Sequence, residues 1–300
     1  RKENIEQLKV KDYRVSEILF KAANLIKKNS KFKNYLQNLG LVQYTSKVKF
    51  HIKKNLPDIY HFRCAYGQSS VSYHKKFNHV QICDHSIAHP LFLYNQLYSE
   101  IKKINPLEIP YDKGSEHKAL PFELRRMYED IHNAENILVN SDFVKKTLIH
   151  YGISASKVKV IYWGCDEKFL SYNKNFSQKR YPKKNLIYAG SWCQRKGVKY
   201  LAKALIDLGE EVELTIAGAN IKDIYENTPF LKNSKVSLKV LGYVNRKELS
   251  RLFCKHKIFI FPSLCEGSAR VIFEAMANGC CILTTNNSGS IVKNNEHGLL

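Results

Sequence analysis

The chain has 300 residues, of which 44% are hydrophobic and 25% are charged, and its formal net charge is +21. This length is sufficient for two α/β domains, and the composition excludes a disordered or fibrous protein. No run approaches the roughly 18 consecutive apolar residues of a transmembrane helix, which excludes a spanning segment within this sequence.

The positive charge is concentrated in two zones. Residues 1–54 contain 14 Lys and Arg against 4 Asp and Glu, and residues 151–200 contain 11 against 2. The first zone could bind anionic lipid or another polyanion, and it could equally be a solvated lysine-rich face. The second zone surrounds a candidate phosphate site.

The first half of the chain is predicted to alternate between helices and strands. Apolar residues at helical spacing predict amphipathic, basic helices over residues 15–28 and 32–39, the second of which ends at Gly40. Short apolar runs predict strands, which cover residues 59–64, 79–83, 136–139 and 157–162. The remaining helices of this half are predicted over residues 69–76, 122–134 and 142–150, and residues 103–120 are predicted to form a loop.

Two histidines follow the predicted strand at residues 79–83. His85 comes directly after the strand, and His89 lies four residues later. Ligands of α/β domains bind at the carboxyl ends of parallel strands, so both histidines are candidates for a catalytic site. The alternative is that they pack in the core or cap a helix.

A polar stretch at residues 171–184 predicts a linker between two domains, residues 1–170 and residues 185–300. In the second domain we predict helices over residues 198–208 and 246–255. The strands predicted for this domain are residues 185–189, 212–217, 236–241, 258–261 and 281–283.

A glycine-bounded loop follows the first strand of the second domain. Gly190 and Gly197 bound it, and Arg195 and Lys196 lie inside it. A lysine ammonium group beside free backbone N–H groups at the start of a helix can bind a diphosphate. The loop lacks the GxxxxGK[ST] pattern of a Walker A motif. Taken alone, two such basic residues are more often solvated charges.

Residues 265–279 read as a loop and a helix between two strands. Ser268 is predicted to cap the helix and Gly279 to end it. Glu266 lies in the loop and Glu274 a little over two helical turns later, so the two carboxylates could line one cleft at different depths. Each carboxylate can accept hydrogen bonds from neighbouring sugar hydroxyls. A bare pair of glutamates could also be a loop residue and a solvated helix residue.

The segment EGSARVIFEAMANG, residues 266–279, resembles the E-x7-E signature of the retaining GT-B glycosyltransferases of family 4. The segments AENILVNS, residues 134–141, and VIYWGCD, residues 160–166, are similar to two further landmarks of that family, with Cys165 in place of the usual valine. The resemblance covers roughly residues 57–300. It implies an α/β fold of the GT-B type, in which two Rossmann-like domains face each other across a cleft.

The resemblance also implies a reaction. A sugar would move from a UDP- or GDP-sugar to a saccharide or lipid-linked acceptor, with retention of anomeric configuration, in the biosynthesis of a cell-envelope polysaccharide. Catalytic roles are implied for three residues: His85 near the reacting sugar, Glu266 at the hydroxyls of the transferred sugar, and Lys196 at the diphosphate. His89 is the rival of His85 for the histidine role.

Substrate-binding roles are implied for further residues. Glu274 would bind the ribose hydroxyls, and Val244 would contact the base. Ser191 stands where the family has an arginine, and Arg195 would replace that arginine. The remaining residues implied in donor binding are Gly190, Gly267, Ser268 and Ala269.

The absence of a DxD triplet predicts that no metal is required, and no cofactor is expected besides the donor substrate. We expect a cytoplasmic protein that could lie on the inner face of the membrane, and we expect no nucleic-acid partner. Because the sequence opens with Arg1 and stops at Leu300, we expect it to be a piece of a longer protein. Eight cysteines without a CxxC pair predict reduced thiols.

Three alternatives remain open at this point. A nucleotide-sugar epimerase can share the GT-B fold. A glycoside hydrolase would need its two carboxylates on opposite sides of one bond. A basic module that binds membrane or nucleic acid would explain residues 1–54 but not the two glutamates.

Overall fold

The computed structural model describes residues 14–26, 31–74, 80–104, 120–167, 169, 185–209 and 212–300. The contacts between residues divide the chain into two units, one of residues 1–84 and 120–137 and the other of residues 85–119 and 138–300. The predicted linker, residues 171–184, lies outside the described residues. The predicted domain boundaries therefore stay a prediction.

Helices and strands alternate along most of the chain. The α-helices are α1 (Arg14–Asn24), α2 (Lys31–Asn55), α3 (Ser69–His74), α4 (Pro90–Ile104), α5 (Phe122–Asn133), α6 (Asp142–His150), α7 (Val198–Leu208), α8 (Ile221–Asn227), α9 (Arg246–Lys255) and α10 (Arg270–Ala277). The strands are β1 (Ile59–Arg63), β2 (Val80–His85), β3 (Asn136–Val139), β4 (Val158–Val160), β5 (Asn185–Ala189), β6 (Glu213–Ala217), β7 (Ser237–Gly242), β8 (Ile258–Phe261), β9 (Cys281–Thr284) and β10 (Gly298–Leu299).

Helix α2 corrects one prediction, because it continues through Gly40 and ends at Asn55. Gly40 lies where α1 packs against α2. A Cβ atom at this position would lie 3.2 Å from the Leu19 Cβ atom and 3.3 Å from the Ser16 carbonyl oxygen. The missing side chain thus permits close helix packing, although glycine weakens a helix interior by about 0.5–1 kcal/mol relative to alanine. Tertiary packing overrides the local signal for a helix end.

The first sheet has the strand order β1-β2-β3-β4, and β1 pairs with β2 in parallel. Strand β2 runs two residues further than predicted and includes His85. Alternate residues of a strand point to the same face, and Gln81, Cys83 and His85 are all buried. His85 therefore belongs to the buried face of the strand and not to the loop that follows it.

The second sheet has six parallel strands in the order β10-β9-β8-β5-β6-β7. Its central strands are apolar along their length, as expected for strands that helices cover on both faces. The core contains fully buried residues of three neighbouring strands, among them Ile187, Leu214 and Phe259. Helix α7 adds Leu201 and Leu205 from its apolar stripe. This packing fixes the strand ends that carry the candidate site.

All eight cysteines are free thiols. Within the ranges that the structure describes, no helix is both long enough and apolar enough to cross a bilayer.

Candidate active site

The strand order of the second sheet reverses between β5 and β8. From this pair the chain continues outward to β6 and β7 on one side and to β9 and β10 on the other. In open α/β sheets, ligands bind outside the carboxyl ends of the strands at such a switch point. A cavity of about 370 Å³ lies there, which we call the donor cavity. The predicted residues that line it are Gly190, Lys196, Val244, Glu266, Ser268, Ala269 and Glu274.

The carboxylate of Glu266 is paired with two cations at the edge of this cavity. Its Oε1 atom lies 2.5 Å from Lys196 Nζ and 2.5 Å from Arg195 Nη1. It also accepts a hydrogen bond of 3.2 Å from Ser263 Oγ. Both the Glu266 and Lys196 side chains are largely buried, at 13% and 14% exposed. These contacts fix the carboxylate and the ammonium group side by side.

Arg195 does not line the donor cavity. Its Nη1 atom donates to the Cys265 carbonyl oxygen at 2.9 Å as well as to Glu266. The Arg195 carbonyl oxygen in turn accepts from the Leu264 backbone N–H at 2.9 Å. Arg195 therefore ties the loop after β5 to the loop after β8. Its predicted role as the replacement for the family arginine at Ser191 stays a prediction.

Gly197 allows these two loops to pack closely. Its φ angle is +70°, a conformation that favours glycine, and a Cβ atom there would collide with the Pro262 carbonyl group. The close approach brings Lys196 beside Glu266. The Lys196 ammonium group also lies 4.8 Å from the centroid of the Phe261 ring.

Glu274 lies deeper in the donor cavity, on α10. Its Oε1 atom is 3.1 Å from Arg246 Nη2 and 4.0 Å from Arg270 Nε, and its side chain is 7% exposed. Burial raises the pKa of Glu274, and the charges of Arg246 and Arg270 partly oppose that rise. The cavity thus holds two carboxylates and three cations, Lys196 included.

Ser268 does not cap the helix, contrary to the prediction. Helix α10 begins at Arg270, and its cap residue, Ala269, makes no side-chain hydrogen bond. Ser268 lines the donor cavity, and its hydroxyl is buried without a hydrogen-bond partner among the described residues. The predicted helix end is confirmed, because Gly279 follows the last turn with φ of +76°.

The two histidines have different surroundings. His85 is fully buried, and neither ring nitrogen has a hydrogen-bond partner within the described residues. His89 is also fully buried, its Nδ1 accepts from the Leu91 N–H at 3.2 Å, and its ring stacks on Tyr151 at 4.5 Å. Neither histidine lines the donor cavity. The contacts of His89 are those of a residue that supports the start of α4.

A second pocket of about 270 Å³, here named the Trp163 pocket, adjoins the donor cavity. Glu266, Ser268 and Arg270 line both of them. The other lining residues are Gly267 and three residues that follow strands of the first sheet, namely Ser86, Asn140 and Trp163.

Gly267 brings its loop against residues that follow strands of the first sheet. A Cβ atom on Gly267 would collide with the Ser86 carbonyl group, and the Gly267 carbonyl oxygen accepts from Ser141 Oγ at 2.5 Å. Of the predicted donor-binding residues, Gly267 therefore faces the smaller pocket.

Comparison with known proteins assigns the family. A model described as "Glycosyltransferase Family 4" matches residues 21–169, and one described as "Glycosyl transferases group 1" matches residues 183–300. The structure of Anabaena Alr3699/HepE in complex with UDP-glucose superposes with a TM-score of 0.56 at 16% identity, over 85% of this chain and 67% of that one. Glycosyltransferase models thus match most of the chain, and its fold is of the GT-B type.

Two curated relatives match about half of this chain. An uncharacterized 41.2 kDa protein in the cps region of Klebsiella pneumoniae is 29% identical over 159 residues. The capsular polysaccharide biosynthesis glycosyltransferase CapH of Staphylococcus aureus is 27% identical over 157 residues. Each match covers 50% of this chain and 42% of the relative.

Several site residues of this glycosyltransferase were not predicted. Arg270 lies inside the segment of the two glutamates, and Arg246 begins the helix after Val244. Their positions in the sequence could therefore have indicated that both arginines belong to the site. Asn140 and Trp163 lie just after strands of the first sheet, where side chains reach a ligand-binding edge. In the part of the chain that the structure describes, no group of three His, Cys, Asp or Glu side chains could hold a metal ion.

Proposed function

We propose that this glycosyltransferase moves a sugar from a nucleoside diphosphate sugar to a saccharide or lipid-linked acceptor, with retention of anomeric configuration. One observation carries the proposal: the cavity at the switch point combines cations for a diphosphate with two buried carboxylates for hydroxyl groups. The structural neighbour HepE, whose complex contains UDP-glucose, supports a donor of this class.

The main chemical need is to stabilise the departing diphosphate. Loss of this group leaves an oxocarbenium-like carbon, and the negative charge collects on the phosphate oxygens. In the proposal Lys196 exchanges its bond to Glu266 for a bond to the diphosphate. The backbone N–H groups in the first turn of α10 add positive potential from the helix terminus. Arg270 begins that turn and lines the same cavity.

The two carboxylates would position the sugars of the donor. Once Lys196 binds phosphate, Glu266 keeps its bonds from Arg195 and Ser263 and can accept hydroxyl groups of the transferred sugar. Glu274 would accept the ribose hydroxyls, and Val244 would lie against the base.

Gly190 would contribute through its missing side chain. Its backbone N–H already donates to the Ala217 carbonyl oxygen at 2.8 Å, so it has no free donor for phosphate. Its φ angle of +146° suits glycine, and the absence of a side chain lets a ligand approach the backbone.

For the histidine role we propose His85. Buried polar atoms normally have hydrogen-bond partners, and the two ring nitrogens of His85 have none within the described residues. Because His85 is fully buried and lines neither the donor cavity nor the Trp163 pocket, a shift of its surroundings on donor binding would have to bring a sugar hydroxyl to one of these nitrogens. Substitution of His85 by alanine should reduce sugar transfer more than tenfold, in line with the usual size of general acid–base and positioning effects, and leave UDP affinity within about threefold.

The relatives suggest the pathway. The Klebsiella protein is placed in a cps region, and CapH is named for capsular polysaccharide biosynthesis. We therefore propose that the product belongs to a cell-envelope polysaccharide and that transfer takes place on the cytoplasmic side of the membrane. The basic zone at residues 1–54 would contact anionic lipid. The proposal includes no metal, no further cofactor and no nucleic acid.

The test is thermal stabilisation of the full-length protein by a panel of nucleoside diphosphates and nucleotide sugars. A ligand that binds only the folded state raises the melting temperature by mass action. We expect one nucleotide to stabilise the wild type and to lose this effect in Lys196→Met and Glu274→Gln. If the folded wild type responds to no nucleotide, the transferase proposal fails and the basic binding module becomes the better interpretation.

A product measurement separates transfer from epimerisation. With a responding donor, release of the nucleoside diphosphate should depend on an added acceptor. A change in the sugar without any release of nucleotide would favour the epimerase.

A further inference from the structure

We propose that the Trp163 pocket is the acceptor subsite and that it binds a pyranose ring of a saccharide against the Trp163 indole. This inference rests on the proposed sugar transfer and names the part of the acceptor that the protein recognises. The pocket has a volume of about 270 Å³, which is enough for one sugar ring.

The position of the pocket suits an acceptor. Glu266, Ser268 and Arg270 line both this pocket and the donor cavity, so the two spaces meet at these side chains. The donor sugar is proposed to lie at Glu266. An acceptor hydroxyl must reach the anomeric carbon of that sugar, and a ring held in the adjoining pocket is near enough to do so.

The Trp163 indole offers an exposed apolar face on which a pyranose ring can pack. Trp163 is 47% exposed, whereas the other tryptophan of the chain, Trp192, is 2% exposed and donates its Nε1–H to Thr228 Oγ1 at 3.0 Å. The Arg270 guanidinium group lies over the Trp163 ring, 5.8 Å from its centroid. Tryptophan combines a large apolar face with a negative π surface, and the axial C–H groups of a pyranose ring can pack on such a face.

Two buried polar atoms in the pocket could form hydrogen bonds with the hydroxyl groups of a sugar. Asn140 is 7% exposed, and its Nδ2 donates to the Ser86 carbonyl oxygen at 3.2 Å. Its Oδ1 has no hydrogen-bond partner among the described residues, and neither does Ser268 Oγ. A buried unpaired polar atom costs roughly 1–3 kcal/mol, and the hydroxyl groups of a sugar would satisfy both atoms.

These features favour a saccharide over the other candidate occupants. A lipid chain would cover the indole but leave Asn140 Oδ1 and Ser268 Oγ unpaired. A nucleobase has a planar face for stacking, but the proposed base position is at Val244, which lines only the donor cavity.

The fluorescence of the protein provides a direct test. Because the chain has two tryptophans and Trp192 is buried, a change in emission on ligand binding reports on Trp163. The full-length protein is titrated with the methyl glycosides of glucose, galactose and N-acetylglucosamine, each with and without UDP. UDP binding is measured on the same samples by calorimetry.

We expect a saturable change in emission with at least one glycoside. The change in emission should disappear in Trp163→Phe. Asn140→Ala should weaken the affinity for the glycoside at least about tenfold, since a buried hydrogen bond is lost. Tyr200→Ala, which removes an aromatic residue of similar exposure on α7, is the control and should bind like the wild type.

Transfer kinetics provide the second readout. Trp163→Ala should raise the KM for the acceptor by roughly tenfold, because aromatic stacking and buried area are lost, and should leave the KM for the donor within about threefold.

Other outcomes separate the two proposals. If UDP binds and no glycoside alters the emission, the subsite is refuted while the transferase proposal stands. If UDP alone produces the whole Trp163 response, a nucleotide occupies the pocket and the inference is wrong. If no nucleotide binds but a glycoside still quenches Trp163, the transferase proposal fails, and the pocket binds a saccharide without being an acceptor subsite.

Discussion

The pairing of one carboxylate with two cations leads to a sharp prediction about Lys196 and Arg195. Both side chains reach Glu266 Oε1 at 2.5 Å, but only Lys196 lines the donor cavity. Lys196 is 14% exposed, so little water screens its charge. A hydrogen bond to a charged group contributes about 1.5–3 kcal/mol, which corresponds to a factor of about 10 to 150 in affinity.

We therefore expect Lys196→Met to weaken UDP binding by about 10- to 150-fold. Arg195→Met is the matched control. Because Arg195 does not itself line the donor cavity and bonds to the Cys265 carbonyl oxygen and to Glu266, its loss should change UDP affinity by no more than about threefold.

Isothermal titration of UDP and uridine into the wild type and both variants measures these effects. Uridine lacks the diphosphate, so Lys196→Met should leave its affinity unchanged. If Arg195→Met weakens UDP binding as much as Lys196→Met does, Lys196 has no special role at the diphosphate. Wild-type UDP affinity in Lys196→Met, with the protein folded by circular dichroism, would refute that role as well.

Three further predictions concern other residues. Glu274→Gln should weaken the binding of uridine and of UDP by the same factor, roughly tenfold, because the ribose hydroxyls lose a charged acceptor. Calorimetry with both ligands checks this. An effect confined to UDP would contradict it. Gly197→Ala should lower the free energy of unfolding by at least about 2 kcal/mol in urea denaturation, because φ at this position is unfavourable for alanine and the new Cβ atom would collide with the Pro262 carbonyl group. Gly152→Ala is the control. It has φ of +89° but no neighbour within 4 Å, so it should lower the free energy of unfolding by only about 1 kcal/mol. Burial raises the pKa of Asp130 to about 6, although the N–H groups of Gly67 and Gln68 oppose the rise. The folded state thus keeps a proton that the unfolded state has lost, so the unfolding free energy should fall by about 2 kcal/mol as pH rises from about 4 to about 6. The fall should be absent from the same titration of Asp130→Asn, and equal slopes in the two proteins would disprove the assignment.

Much of the fold could be predicted from the sequence. The predicted bounds of β3, α6, β5, α7, α9 and β8 agree with the structure. In these segments a clear hydrophobic period is bounded by a residue that starts or ends the element, such as Ser141, which accepts the Val144 N–H at the start of α6. Glu266 and Lys196 could be placed in loops that follow strands, and Glu274 on the helix after Glu266, for the same reason.

Other features depend on contacts between distant segments. Gly40 looks like a helix end in the sequence, but packing of α1 against α2 makes it a close-approach residue. Ser268 looks like a helix cap in the sequence, but α10 starts at Arg270. The Ser268 hydroxyl therefore does not cap the helix and has no hydrogen-bond partner among the described residues. Local patterns cannot decide either case, because each depends on atoms far away along the chain.

The sequence by itself determined the order of strands and helices, the glycosyltransferase resemblance and the residue types of the donor site, because these follow from short-range periodicity and spacing. Only the tertiary structure decided which charges meet. It placed Arg195 on the Glu266 loop, brought Arg246 to Glu274, and set Asn140 and Trp163 beside the donor cavity. The parallel strands end at common edges, and the loops after them bring together residues that lie more than 100 positions apart.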